Sequence, residues 1–319
     1  MNKILYVLLG FHLCAFASGG ESACFSSPET ELFYKSHPVY SQIEDILHPT
    51  HEDFLLVQDY LKNGHHESDQ LGDRKNSIAN LRIIGNSPNL TPEFKMIAVN
   101  CSEEDRENCV ITYASFNAHF PRGVKRLVDK IVNSDFKGHV LYWIGGWPNV
   151  EGGSLVLAHV PEAFKPSAFK KAESMGFKRV LWLDSSMVPV ASLNTVFDMI
   201  ANFGHFARGN THDIGWYMNE NTANSFGYSL SEVYNVPSCS AAIFGVDYTK
   251  PIGHKIIDQW YQKAHDKHAF FSARVDQNAL TLVLYKNNLE NNINYGLIAE
   301  GFHELRLNTL FVLDRSYIW

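Results

Sequence analysis

The chain has 319 residues, 45% of them hydrophobic and 19% charged, with 27 Lys and Arg against 34 Asp and Glu for a formal charge of -7. That length and apolar content suffice for one elaborated domain or two, and they exclude an intrinsically disordered chain. The acidic balance excludes a sequence-wide basic footprint for a nucleic-acid backbone, so no nucleic-acid partner is expected, and 21 Gly with 12 Pro exclude a collagenous or low-complexity sequence.

The first element is an export signal. Lys3 supplies the positive start, Ile4 to Phe16 is apolar, and Ala15-Phe16-Ala17 fits a small-x-small cleavage site, giving a leader over 1–17. The apolar run is shorter than the roughly 20 residues of a spanning helix, so the mature chain is expected to have no membrane span and to be secreted or to reach a secretory lumen or periplasm. Cys24, Cys101, Cys109 and Cys239 remain, an even number that suits an oxidising compartment. Cys101 and Cys109 bracket a polar run, and a disulfide closing that loop or unpaired thiols both fit. Asn89-Leu90-Thr91 and Asn100-Cys101-Ser102 are glycosylation triplets.

Residues 18–108 read as an N-terminal extension, helical or irregular, with one helix around Asp53 to Lys62 where Phe54, Val57 and Leu61 recur at helical spacing. From 109 to 319 the pattern becomes α/β. Val110 to Ala114 is a strand, Pro121 opens a helix with Val124, Leu127, Val128 and Ile131 on one face, and His139 to Ile144 is a second strand. Pro166 opens a further helix that stops at Gly176, and Arg179 to Leu183 is a third strand. Strands apolar on both faces, alternating with amphipathic helices, predict a Rossmann-like, mostly parallel central sheet flanked by helices.

The third strand ends abruptly in Asp184-Ser185-Ser186. In open parallel sheets ligands bind outside the carboxyl ends of the strands, so this carboxylate falls on the expected functional edge. A carboxylate followed two residues later by another oxygen ligand can hold a hard divalent cation that bridges a diphosphate. Asp184 capping the following turn is the plainer alternative.

The stretch Phe164 to Val190, FKPSAFKKAESMGFKRVLWLDSSMVPV, resembles the central segment of nucleotide-sugar-dependent glycosyltransferases of the GT-A fold, in which a strand of this type ends in an Asp-x-Asp metal motif. Val275-Asp276-Gln277-Asn278-Ala279-Leu280 is similar to an Asp-Gln-x-x-Leu element of glycogenin-like members, and the resemblance spans about Cys109 to Leu289. It implies transfer of a sugar from a nucleotide-diphosphate donor to the hydroxyl of a carbohydrate, protein or lipid-linked acceptor. By position it implies a donor site formed by Thr112, Tyr113, Ala114, Phe116, Asn117, Lys165, Asp184, Ser185 and Ser186, with Tyr113 or Phe116 stacking on the base or else packing in the core.

Here the second carboxylate of the metal motif is Ser186. Three outcomes stay open: Asp184 and Ser186 with a remote ligand such as His303 hold manganese or magnesium; basic side chains, Lys165 ahead of Lys170 and Arg179, offset the diphosphate; or binding survives without transfer. Lys165 leads because a residue before proline is held extended, ahead of the helix. Gly209 to Tyr217, polar and aromatic together, suits an acceptor or donor-sugar pocket, and Asp213 and Asp276 are the carboxylates available as catalytic base, with an N-cap the alternative for Asp276. A silent sugar- or nucleotide-binding module and an unrelated α/β hydrolase are the competing classes; no G-x-S-x-G, P-loop or G-x-G-x-x-G sequence is present.

Overall fold

The computed structural model of the chain describes residues 93–114, 120–144, 148, 157, 160, 162–266, 268–270, 272–289, 293–294 and 296–316. The leader, the helix expected at Asp53 to Lys62, Cys24, the triplet at Asn89, Phe116 and Asn117 lie outside the described residues.

The elements in chain order are β1 (Glu93–Val99), β2 (Asn108–Ala114), α1 (Phe120–Val132), β3 (Gly138–Ile144), α2 (Phe164–Ser174), β4 (Arg179–Leu183), β5 (Met187–Pro189), α3 (Leu193–Phe203) and β6 (His205–Asp213). There follow α4 (Glu220–Ser225), α5 (Leu230–Val233), β7 (Pro237–Asp247), α6 (Pro251–Ala264), α7 (Val275–Lys286), β8 (Ile293–Asn294), β9 (Ile298–Ala299) and β10 (Phe311–Leu313). A seven-stranded sheet runs in the order β1-β3-β2-β4-β7-β6-β8, and a three-stranded sheet in the order β5-β10-β9.

The central strands form because both of their faces are covered. Along β4, Val180 and Trp182 pack into one core with Phe169, Phe244 and Trp260, while Leu181 and Leu183 pack into the other with Val124, Leu127, Val196 and Phe197. The period of two thus sends alternate residues to opposite layers, and truncating one such buried Leu to Ala costs about 2–5 kcal/mol. Helix α3 shows equally local causes: Ser192 accepts from the Asn194 N–H at its start, and Gly204, at φ 85°, ends it in the left-handed region. Gly245 of β7 is required by packing, since a Cβ there would lie 2.4 Å from Ile200 of α3.

Two expectations change. The sheet is mixed: β3-β2-β4 and the short β6-β8 pairing are parallel, but β1-β3, β4-β7 and β7-β6 are antiparallel. An antiparallel strand covered on both faces, such as β7, has the same unbroken apolar run as a parallel one, so the pattern carried no direction. The sheet also reaches back across residue 109, because β1 pairs with β3 from Glu93 opposite Ile144 to Val99 opposite Gly138.

The polar loop between Cys101 and Cys109 closes without a bridge. Both thiols are free, as is that of Cys239. Cys101 donates to the Gly138 carbonyl at 3.2 Å, while Cys109 is buried in the core, which pushes its thiol pKa up. Asn100 adopts φ 52°, and its amide donates to the Ser134 and Phe136 carbonyls at 3.0 and 2.8 Å, so its side chain ties the end of β1 to the turn before β3. Among the described residues no helix is long and apolar enough to cross a membrane.

Candidate functional site

Strand β4 delivers Asp184 to the edge of the sheet, where the backbone closes the turn by itself: the Met187 N–H donates to the Asp184 carbonyl at 2.9 Å. The carboxylate is therefore not spent on that turn. Its Oδ1 accepts from the Trp182 indole N–H at 2.7 Å and lies 3.2 Å from Lys165 Nζ. Trp182 and Asp184 share a face of the strand because they are two residues apart. The same indole sits beneath the ammonium, 5.6 Å from Nζ to ring centroid.

Lys165 is the centre of the constellation. Its side chain is 5% exposed, and Nζ lies 2.6 Å from Asp276 Oδ2, 3.6 Å from Glu162 Oε2 and 3.1 Å from the Ala241 carbonyl of β7, to which it donates. Burial by itself pushes the ammonium pKa down, but Asp184, Asp276 and Glu162 more than offset this, and the net shift is upward. Lys165 is charged throughout the physiological range. It does not precede the helix, as the following proline suggested, but stands inside its first turn, where Pro166 costs no intrahelical bond. Glu162, just before that helix, holds φ 59°, a conformation that costs an ordinary residue roughly 1 kcal/mol or more and is met at functional sites.

Asp276 is the second residue of α7, whose N-cap is Arg274. The N-cap alternative for Asp276 thus falls away, and its buried carboxylate faces Lys165. Of the three basic candidates only Lys165 reaches this edge. Arg179 stands at the opposite end of β4, about 16 Å away at strand rise, bound to Asp247 and Glu107. Lys170 pairs with Glu173 and Asp258 between α2 and α6.

The other predicted donor residues lie at the end of β2. Thr112 and Ala114 are buried, and Tyr113 is part of an aromatic stack, 4.5 Å from Phe164, which in turn lies 5.7 Å from Trp182. Ser185 and Ser186 are nearly buried; the Ser186 carbonyl accepts from the Asp314 N–H at 2.9 Å, next to the pairing of β10 with β5. Arg126 of α1 reinforces this tie, donating to Asp314 Oδ2 at 2.6 Å and to the Asp314 carbonyl at 2.9 Å.

The residues offered for a divalent cation are Asp184, Ser186 and His303. Asp184 Oδ1 is engaged by Lys165 and Trp182, and the His303 imidazole is 80% exposed beside Glu304. Among the described residues no three His, Cys, Asp or Glu side chains converge to hold a metal. This donor set does not fit a preformed metal centre.

Sequence reasoning missed Trp182, Glu162 and Arg208 as polar participants. The first was within reach: a tryptophan two residues before a strand-terminal carboxylate shares its face. Glu162 lies three residues before Lys165 and Arg208 two residues before Asn210, whereas Gln277 and Ser238 meet only through tertiary contact. Gln277 and Asn210 both donate to the Ser238 hydroxyl, at 3.0 and 3.2 Å, and Arg208 donates to Asn210 at 3.0 Å. Asp213 ends β6 at this edge beside His212, whose pKa is pushed down by burial and by Arg274 and Arg208. No protein-family model matches the chain, and no curated protein aligns with it significantly.

Proposed function

We propose that this protein is a GT-A-like glycosyltransferase that moves a sugar from a nucleotide-diphosphate donor to an acceptor hydroxyl. The observation that carries the proposal is the buried Lys165 ammonium, held between the strand-terminal Asp184 and the helix-borne Asp276 at the carboxyl edge of the sheet. Burying a paired charge at that edge costs each ion several kcal/mol of hydration, and ionisable groups held in this way cluster at functional sites.

In this reading Trp182 and Lys165 hold the Asp184 carboxylate in one orientation, Asp184 and Glu162, half-exposed at the rim, accept from hydroxyls of the donor sugar, and a cation entering with the donor would offset its diphosphate. The bond from the sugar's anomeric carbon to the diphosphate breaks as the bond to the acceptor oxygen forms, the diphosphate leaves with the electron pair, and the acceptor proton passes to Asp213. Asp276, bound to Lys165, serves as a positioning residue. The leader would carry the enzyme into the secretory pathway.

Titrating nucleoside diphosphates and their sugar conjugates into the protein by calorimetry, with manganese and with chelator, tests the proposal. Saturable binding in either condition supports it, and no binding in both overturns it. A second reading, binding without transfer, is favoured by the absence of a second carboxylate at Ser186; donor binding with no released nucleoside diphosphate in the presence of hydroxyl acceptors would decide for it.

A further inference from the structure

Strand β4 ends at Leu183, opposite Ile243, whereas its neighbour β7 begins at Pro237, so β7 projects beyond the Asp184 turn together with the end of β6. This projecting shelf carries a second constellation. Its floor is the hydrogen-bonding set Asn210, Ser238, Gln277 and His212; besides the contacts to Ser238, Gln277 Nε2 lies 3.5 Å from His212 Nε2. Its back wall is Tyr217, with the His212 ring edge-on at 4.7 Å and the Arg274 guanidinium 4.9 Å above it.

The shelf is polar but close to electrical balance. Arg208 faces Glu300 at 3.6 Å, Arg274 and Asp213 act on His212 with opposite sign, and burial keeps His212 neutral. At the rim, two large aromatics stay in water: Trp216 is 57% and Tyr234 is 43% exposed. They flank Gly215, where a Cβ would lie 2.5 Å from the Tyr234 ring, so only glycine allows that ring to lie over the chain next to Trp216. Exposed aromatic faces beside amide and hydroxyl donors, without net charge, match a ligand with apolar C–H faces and many uncharged hydroxyls. An anionic ligand would meet Asp213 and Glu300 as well as the arginines, and a lipid chain would leave the floor's polar groups unmatched.

We propose that the shelf is the acceptor subsite and that the acceptor is an uncharged saccharide, stacked on Trp216 and Tyr234 and hydrogen-bonded by Gln277, Asn210 and His212. The word acceptor rests on the transferase reading; the saccharide site itself does not. The test is saturation-transfer NMR on the full chain with the methyl glycosides of glucose, galactose, mannose, xylose and N-acetylglucosamine, alongside methyl glucuronide and inorganic phosphate. Trp216→Ala, which removes an exposed ring, and Gln277→Ala are run in parallel, with circular dichroism to confirm the fold. The expected result is saturation of at least one neutral glycoside through its ring C–H protons, weakened about tenfold by Trp216→Ala, the size of losing one aromatic contact. No binding by any neutral glycoside, binding only by glucuronide or phosphate, or binding indifferent to both substitutions overturns the proposal. Binding of a nucleoside diphosphate by the same samples, without any glycoside, would sink the shelf and leave the transferase reading standing.

Discussion

The two ends of β4 carry the same kinds of charge and use them differently. At the amino end, Lys178 and Arg179 meet Glu107 and Asp247, two cations against two carboxylates, and Asp247 Oδ1 is further satisfied by the Thr249 N–H and hydroxyl at 2.8 and 2.6 Å. At the carboxyl end one ammonium serves Asp184, Asp276 and Glu162. A closed set of pairs ties strand to loop and asks for nothing more. The carboxyl-end set shares one buried ammonium among three carboxylates, two of which, Asp184 and Glu162, are partly exposed at the rim, and this is the end to which the proposed function is assigned.

The largest test of this contrast is Lys165→Met. It leaves Asp276 buried and unpaired, so we expect about 3–5 kcal/mol of destabilisation, read as a lowered thermal midpoint, together with loss of nucleotide binding. Adding Asp276→Asn should restore part of the stability without restoring binding; a single variant as stable as the parent would show that the two groups are not a buried pair. Arg179→Leu should cost less, about 2 kcal/mol, because Thr249 still serves Asp247, and donor affinity should not change. If calorimetry shows that affinity falls as much as for Lys165→Met, the two ends are not functionally distinct.

Arg126→Ala removes the tie between α1 and Asp314 behind the Asp184 loop, with an expected loss of about 1 kcal/mol. Desolvation opposes the ionised Asp314, but bonds from Ser316 and the charge of Arg126 prevail and hold its carboxyl below the usual range. Its contribution is therefore present above the unfolded carboxyl pKa and is lost as pH falls through the folded value. Acid unfolding curves of the variant and parent should converge at low pH, and parallel curves would contradict the assignment.

The smallest effect is expected from the buried histidines. Burial pushes the pKa of His139 and His205 down, so the folded state keeps them neutral while the unfolded chain takes up protons. Their stability contribution is complete above about pH 6.5 and declines below it. A thermal midpoint that falls between pH 7.5 and 5.5, and falls less in His205→Phe, is the expected outcome; an equal fall in both proteins would remove His205 from the account.

Much of the fold was legible because its causes are local. The alternation of Val180 and Trp182 with Leu181 and Leu183, the Ser192 cap and the stop at Gly204 lie within a few residues of the elements they define. Asp184 could be singled out for the same reason, since a buried apolar run that ends in a carboxylate announces a sheet edge. Strand direction was not legible, because hydrophobic periodicity is blind to the sign of the pairing, and the chain of β7 that reverses the sheet also forms the projecting shelf.

The sequence by itself determined the locally caused elements, among them β2, β3, β4 and α3, and it set Asp184, Lys165 and Asp276 apart as residues whose chemistry needed explaining. Only the tertiary structure decided that these three meet, that Arg179 stands at the opposite end of the same strand, and that Cys109 is core rather than half of a bridge. The physical reason is range: caps, turns and periodicity act over one or two turns of chain, whereas a buried charge finds its partner through packing, which sequence spacing does not encode.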